Sequence, residues 1–509
     1  MRACRYLPHL GALSALLIAI SGESFWIDEL TTAVLASQPT WGDLREKVAT
    51  FGSEAQMPLF TIYTWLWAKI FGTGELALRW ANAPWALIGV VAVDRLLVRC
   101  GARRMAVLLL MAPLFCFYMN EARPYVATFA TACVALAAGE ALLAAHAAGR
   151  GKPPGAGWFF PAGMLACAAI SMLNLFLVPA LLAYALVAFA GRGRRAITAF
   201  VRAHVGPLAA AFLGLVLLSG YYIWTLLAGH GGQHQPYTWI NLGYAVYEWL
   251  GFGGLGEPRH ALRADGPLVN LADHWHTLSL GALAWGLVAL TALKNRGRLW
   301  ANRCWCGAGI GLLCGGACLV LTAVLAPASL WGRHLIFLSP FYVVCLAGVI
   351  MPAGRPDSRL GRTAGLLLLA ALALSTGLLR FDDLHQKDPY RDGIIELREN
   401  LGPYENLPII WVANEVALRV YGAKRVSPGD PFLPDPGAPR PRVIPAAGWA
   451  ASGVREWSDS HPEYILLIHR PQTFDIAGSW EAATRWPGSS LLWQRSDMRI
   501  YHITSQQAE

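Results

Sequence analysis

Charge is what this 509-residue chain has least of: 14% of its residues are Asp, Glu, Lys or Arg, where a soluble domain carries about 25%. So little charge excludes a disordered or solvating chain, and it argues against an ordinary cytosolic enzyme. Cysteine is sparse and confined. The ten Cys, at 4, 100, 116, 133, 167, 304, 306, 314, 318 and 345, lie in or beside apolar runs, and the polar last quarter has none. That pattern excludes a disulfide framework. Cys304-Trp305-Cys306 with Cys314 and Cys318 has a metal-like look, but no His lies among them, and free Cys is an ordinary small apolar helix residue. Phosphate-binding loops are lacking too. There is no P-loop, and Gly251–Gly256 (GFGGLG) falls outside any strand–turn–helix setting, which excludes the usual nucleotide-sugar folds. No A-x-A-like cleavage site follows the apolar run that starts at Tyr6, and no internal repeat is evident.

What is present is apolar surface: 55% hydrophobic residues, 21 Trp, 16 Tyr and a mean hydropathy of +0.41. That is more than a soluble core absorbs. Apolar runs lie at 6–21, 78–98, 105–119, 124–146, 158–190, 205–228, 276–293, 305–326, 335–351 and 363–379. The net charge of +9 has an address in the connections: Arg95, Arg99, Arg103, Arg104; Arg150, Lys152; Arg192, Arg194, Arg195, Arg202; Lys294, Arg296, Arg298, Arg303; Arg355, Arg359, Arg362. Basic, acid-poor loops of this kind stay in the cytoplasm, so no nucleic-acid partner is needed to explain the charge.

The same rule settles two ambiguous segments by parity. The run 158–190 would span roughly 50 Å as one helix, yet both of its flanks are basic. It must cross an even number of times, as two short spans turning near Ser171–Asn174 and Pro179. Pro58–Phe71 (PLFTIYTWLWAKIF) is shorter than the roughly 20 residues a span needs. It reads as an interfacial helix ending at Gly72, preceded by a second membrane-lying helix over 39–51 with Trp41, Leu44 and Val48 at helical spacing. The expected fold is an α-helical polytopic membrane protein of about eleven transmembrane helices, with the N-terminus in the cytoplasm and the C-terminus outside.

Residues 1–380 form the membrane module in this reading. Residues 381–509 form a small extracytoplasmic α/β domain, with a helix at Tyr390–Leu401, buried strands at Pro408–Ala413 and Tyr464–His469, and a Pro/Gly-rich loop at 427–445. The loops 22–77 and 229–275 are also outside, the second with GFGGLG as a flexible cover.

Charges beside spans are expensive and mark function by default. Four clusters end at the outer face: Asp28-Glu29, Glu54, Glu121-Ala122-Arg123-Pro124-Tyr125, and Arg333-His334. Each also has a plainer reading. Asp28 and Glu29 suit a helix N-terminus. Glu54 could be solvated, Glu121 and Arg123 could pair at the interface with Pro124 opening a helix, and Arg333 could snorkel.

The D-E pair after the first span, the x-P-L-F/Y-Y-x-x-x-x-W-type amphipathic stretch and E-A-R-P-Y together resemble the GT-C superfamily. These are membrane glycosyltransferases that use polyprenyl-phosphate sugars, with bacterial protein O-mannosyltransferases and lipid A aminoarabinose transferases as relatives. Gly332-Arg333-His334-Leu335 ahead of Pro340 and Asp388-Pro389-Tyr390-Arg391-Asp392 add to the likeness, which covers roughly residues 6–400. The resemblance implies a periplasmic active site in a bacterial inner membrane. It makes Asp28 the general base with Glu29 as its partner, and it places Glu54, Glu121, Arg123, Tyr125, Arg333 and His334 at the substrate, the arginines near the lipid phosphate. Relatives often carry His or Lys near the loop proline, where this chain has Gln56 and Met57. No cofactor is fixed by these residues, and a divalent metal is left open. The implied partners are a polyprenyl-phosphate sugar donor, an unidentified hydroxyl acceptor (glycan, lipid or protein) and membrane lipid. Two rival readings are a lipid-linked glycan transporter or flippase, and a polysaccharide polymerase or ligase.

Overall fold

The computed structural model describes residues 6–50, 52–149, 155–228, 238–258, 271–325, 330–352, 359–382, 385–404, 406–422, 443–475 and 477–504. Arg150, Lys152, Arg355, most of the loop 427–445 and parts of the loop 229–275 lie outside them. The chain forms two compact units. The first comprises 1–21 and 35–385. The second comprises 386–509 together with Gly22–Val34.

The first unit is helical. Among the described residues, eight helices are long and apolar enough to cross a membrane: Glu75–Arg99, Tyr125–Ala147, Met172–Phe189, Val205–Leu227, Trp275–Lys294, Arg303–Leu325, Gly332–Ile350 and Arg359–Phe381. Leu7–Ile18 and Ala156–Ile170 are apolar but shorter. The expected eleven spans therefore become eight of full length, two short ones and one broken run. The broken run is 105–119, which forms a 3-10 segment, Arg104–Met111, and a seven-residue helix, Pro113–Met119. Ala112, at ψ 145, leaves the helical region directly before Pro113, as a residue ahead of proline tends to do.

The run 158–190 divides as parity required. Helix Ala156–Ile170 ends where Ser171 turns extended, and helix Leu177–Phe189 follows a 3-10 turn. Pro58–Phe71 is one helix capped by Gly72, and Trp41–Thr50 is another. The two meet through the Trp41 and Trp65 rings at 5.9 Å. Trp65 Nε1 donates to the Gln38 carbonyl at 2.8 Å, and Lys69 Nζ reaches the same carbonyl at 2.7 Å. Leu44 faces inward and is buried, while Trp41 stays half exposed.

Tyr125–Ala147 is the central helix and is largely buried, whereas Val205–Leu227 is largely exposed. The latter shows Phe212, Leu213, Leu217 and Leu227 on its outside, a surface suited to hydrocarbon rather than water. At the other end of the helices, Asp94 binds both His9 and Arg104, tying helix Leu7–Ile18, helix Asn82–Arg99 and the 3-10 segment together. A buried carboxylate needs such partners.

Gly251–Gly256 is not a loose cover. The Gly254 N–H donates to Ser375 Oγ at 3.0 Å, and a Cβ at Gly254 would collide with the Ser375 backbone carbonyl. Glycine here allows close approach to helix Arg359–Phe381. Gly254→Ala is expected to lower the thermal midpoint of the purified protein, with an overpacking cost of about 1–3 kcal/mol. An unchanged midpoint would mean the turn yields freely.

The second unit is built on a five-stranded sheet: β1 (Ile409–Val412), β2 (Val443–Pro445), β3 (Glu463–His469), β4 (Ser489–Arg495) and β5 (Met498–Thr504). Its order is β2-β1-β3-β5-β4. β1 runs parallel to β2 and β3, while β5 is antiparallel to β3 and β4. The continuous apolar runs IIWV and YILLI match strands covered on both faces, and both are fully buried. Helix Tyr390–Glu399 packs on β5. Burial pushes the Tyr464 phenol up to about 12, with the Ser458 hydroxyl acting against it.

Candidate active site

In the first unit, the loop acid Glu54 and Arg123 of E-A-R-P-Y come together. Arg123 Nη1 donates to Glu54 Oε1 at 2.8 Å, with the two side chains 7% and 4% exposed. The solvated reading of Glu54 is therefore corrected. A short 3-10 turn, Gly52–Gln56, carries it inward, and the Tyr221 hydroxyl holds the turn by donating to the Ala55 carbonyl at 2.7 Å. Arg123 Nη2 also faces Met57 Sδ at 3.7 Å. Arg123 thus reaches across to Glu54 in the first loop.

Glu121 is buried and its backbone is pinned twice. Asn82 Nδ2 donates to the Glu121 carbonyl at 2.6 Å, and the Arg123 N–H donates to it at 2.7 Å. Asn120 exchanges hydrogen bonds with Ser21 at the end of the first apolar run, and Arg79 Nη1 donates to the Ser21 carbonyl at 2.9 Å. Tyr125 opens the central helix, with Pro124 as its N-cap, and its ring lies 4.6 Å from that of Tyr118.

Breaking a buried ion pair from one side costs about 3–5 kcal/mol, while replacing both partners by apolar groups of similar volume is often neutral. Glu54→Ala is accordingly expected to depress the unfolding midpoint strongly, and Glu54→Leu with Arg123→Met to recover most of it. Tryptophan-fluorescence melts in detergent read both. With Arg123→Met measured as well, a double-variant loss equal to the sum of the two single losses would show that the pair contributes no coupling.

Arg333 and His334 begin the 3-10 segment Gly332–Leu338, which packs against helix Tyr125–Ala147. The His334 Nδ1 accepts the Trp331 N–H at 3.3 Å, so this ring serves as a cap. Both side chains are half-buried. Helix Trp239–Trp249 reaches the same segment, with Trp249 Nε1 donating to the Gly332 carbonyl at 3.1 Å. The preceding Glu248 brings its carboxylate against Gly332. This acid went unremarked in the sequence, because nothing local links a lone Glu in an aromatic helix to a segment over 80 residues downstream.

In the second unit, Asp28 and Glu29 occupy the first turn of helix Ile27–Ala36, where acids are favoured by the helix dipole. Asp28 is half-buried and Glu29 fully buried. Glu29 Oε2 pairs with Lys387 Nζ at 2.9 Å and accepts the Trp26 N–H at 3.3 Å. Lys387 immediately precedes Asp388-Pro389-Tyr390-Arg391-Asp392. Asp388 binds Arg470 and lies 3.6 Å from His469, and Tyr390 stands edge-on to the His469 ring at 4.9 Å. Burial first, and then Asp388, hold the Tyr390 phenol well above its ordinary range, so it stays protonated. Asp392 pairs with Arg495 on β4.

Among the described residues no group of three or more His, Cys, Asp or Glu side chains converges as a metal site. Cys304, Cys306, Cys314 and Cys318 are free thiols strung along helix Arg303–Leu325. The chemistry these units offer is that of carboxylates, one of them held by a lysine, and of arginines set at helix ends.

Two solved structures of ArnT from Cupriavidus metallidurans are similar in chain trace. The form bound to undecaprenyl phosphate is 13% identical, with a TM-score of 0.48, over 99% of this chain and 98% of that one. The apo form is 13% identical, with a TM-score of 0.49, over 97% of each. No family model matches the chain, and no curated protein matches it.

Proposed function

We propose that this protein is an integral membrane glycosyltransferase that moves a sugar from a polyprenyl-phosphate carrier to a hydroxyl acceptor on the outer face of a bacterial inner membrane. The observation that carries the reading is the buried Glu54–Arg123 pair. It joins the first-loop acid to E-A-R-P-Y at the head of the central span, one of the segments on which the resemblance to the GT-C superfamily rests. Charge buried at that position is costly, and a module of span-length apolar helices suits a donor whose tail is itself lipid.

In the proposed reaction the acceptor oxygen attacks the anomeric carbon as the bond from that carbon to the phosphate oxygen breaks. The acceptor proton passes to the Asp28 carboxylate. The electron pair leaves with the polyprenyl phosphate, whose growing charge an arginine fork stabilises. Arg333 is the proposed phosphate ligand. Arg123, already bound to Glu54, shapes the loop and supplies its remaining donors. Glu121 and Tyr125 are proposed sugar contacts, and one displacement inverts the anomeric centre. The N-terminus would lie in the cytoplasm and the C-terminal unit in the periplasm.

Donor discrimination tests the reading. Protein in nanodiscs is offered labelled polyprenyl-phosphate sugars and, separately, labelled nucleotide sugars. Turnover of the first class alone is expected. Turnover of nucleotide sugars without any lipid carrier would overturn it.

A further inference from the structure

The Asp28 loop is held on both sides by long-range contacts from one stretch of chain, 387–421. Before Asp28, the Phe25 N–H donates to the Tyr421 hydroxyl at 2.6 Å, and the Ser24 hydroxyl reaches the same oxygen at 3.3 Å. The Arg391 N–H donates to Ser24 Oγ at 3.1 Å, and Arg391 Nη1 donates to the Gly22 carbonyl at 2.8 Å. After Asp28, the Glu29 carboxylate meets Lys387 with the pair almost wholly buried. These contacts bridge sequence separations of 358 to 397 residues. None of them is local helix capping.

The clamp is itself anchored. Lys387 is followed by Asp388, fixed by Arg470, and by Tyr390, buried against His469 at the end of β3. Tyr421 is buried, and its carbonyl accepts from Arg398 Nη1 at 3.2 Å. The sheet thus supports the residues that support the loop, which is how a reacting group is held to within a fraction of an ångström.

We infer that the C-terminal segment is a positioning element for the Asp28 loop, with Lys387 as its central positioning residue. The inference rests on the reading of Asp28 as the base. The C-terminal segment then does more than follow the membrane module: it supplies the cation that compensates Glu29 beside Asp28 and fixes the backbone on both sides of it. Two adjacent uncompensated carboxylates would repel one another, and a displaced base loses rate steeply.

The test uses full-length protein in nanodiscs and the polyprenyl-phosphate sugar that supports turnover. Lys387→Met is expected to lower kcat by about tenfold or more, with the donor KM changed less than about twofold. Lys387→Arg is expected to restore most of kcat. Amide hydrogen exchange over residues 22–34 is expected to quicken in Lys387→Met and to stay slow in Lys387→Arg. Tyr421→Phe, which keeps the ring but removes the acceptor of the Phe25 N–H, is expected to quicken the same exchange, and it replaces Lys387→Met should that variant fail to fold. Wild-type kcat and unchanged loop exchange in the folded variants would overturn the inference. Asp28→Asn is run beside them. Full activity in that variant sinks the base assignment, and the exchange data then decide the clamp by themselves.

Discussion

Asp28→Asn is expected to lower the transfer rate by about 10²–10⁴-fold, the usual worth of a positioned general base, and to leave the protein folded. Asparagine keeps the shape and the acceptor oxygen of the side chain while removing its capacity to take a proton. Asp28 sits in the first turn of its helix, and the loop around it is tied through Gly22, Ser24, Phe25 and Glu29. Loss of one half-buried charge therefore leaves the surrounding structure in place. The fall should appear in kcat, with donor KM changed little, because the lost interaction belongs to the transition state. Single-turnover release of labelled polyprenyl phosphate reads it directly. A variant as fast as wild type would remove Asp28 from the chemistry.

Arg333→Ala is expected to lower kcat/KM for the donor by about 10²–10³-fold, the scale seen when one stabiliser of developing charge is removed. Arg333→Lys recovers only part of this, since a lysine keeps the charge and loses the planar fork that fits a phosphate. The half-buried position of Arg333, at the head of a 3-10 segment packed on helix Tyr125–Ala147, gives the guanidinium a fixed base and leaves part of it accessible. Snorkelling at the interface, the plainer alternative, predicts a loss of less than about threefold. Donor titrations on both variants separate the two.

How much of this was readable from residues alone differs by element. Pro58–Phe71 and its Gly72 stop, the division of 158–190 at Ser171, and the strands IIWV and YILLI were legible. Each rests on a local signal: a proline–glycine bracket, basic flanks of equal sign, or an apolar run in a polar stretch. β4 and β5 were not assigned, since the edge strand SSLLWQR is largely exposed and lacks a buried-strand pattern. The run 105–119 looked like a span by composition, and Pro113 was the signal that it breaks. GFGGLG read as flexible because glycine content alone does not distinguish a loose loop from a close approach to Ser375.

Among site residues, the four charged clusters stood out through the scarcity of charge. Their partners did not. Lys387 lies 358 residues from Glu29, and Tyr421 and Glu248 carry no motif, so tertiary packing alone discloses them. For the same reason the inclusion of Gly22–Val34 in the second compact unit carries no local signal.

The most direct measurement is the release of polyprenyl phosphate from a panel of labelled polyprenyl-phosphate sugars by the purified full-length protein in nanodiscs, with Asp28→Asn in parallel. The expected result is release from at least one carrier by wild type and near-background release by the variant. No release from any carrier, or equal release by both proteins, would contradict a polyprenyl-phosphate-sugar transferase with Asp28 as its base.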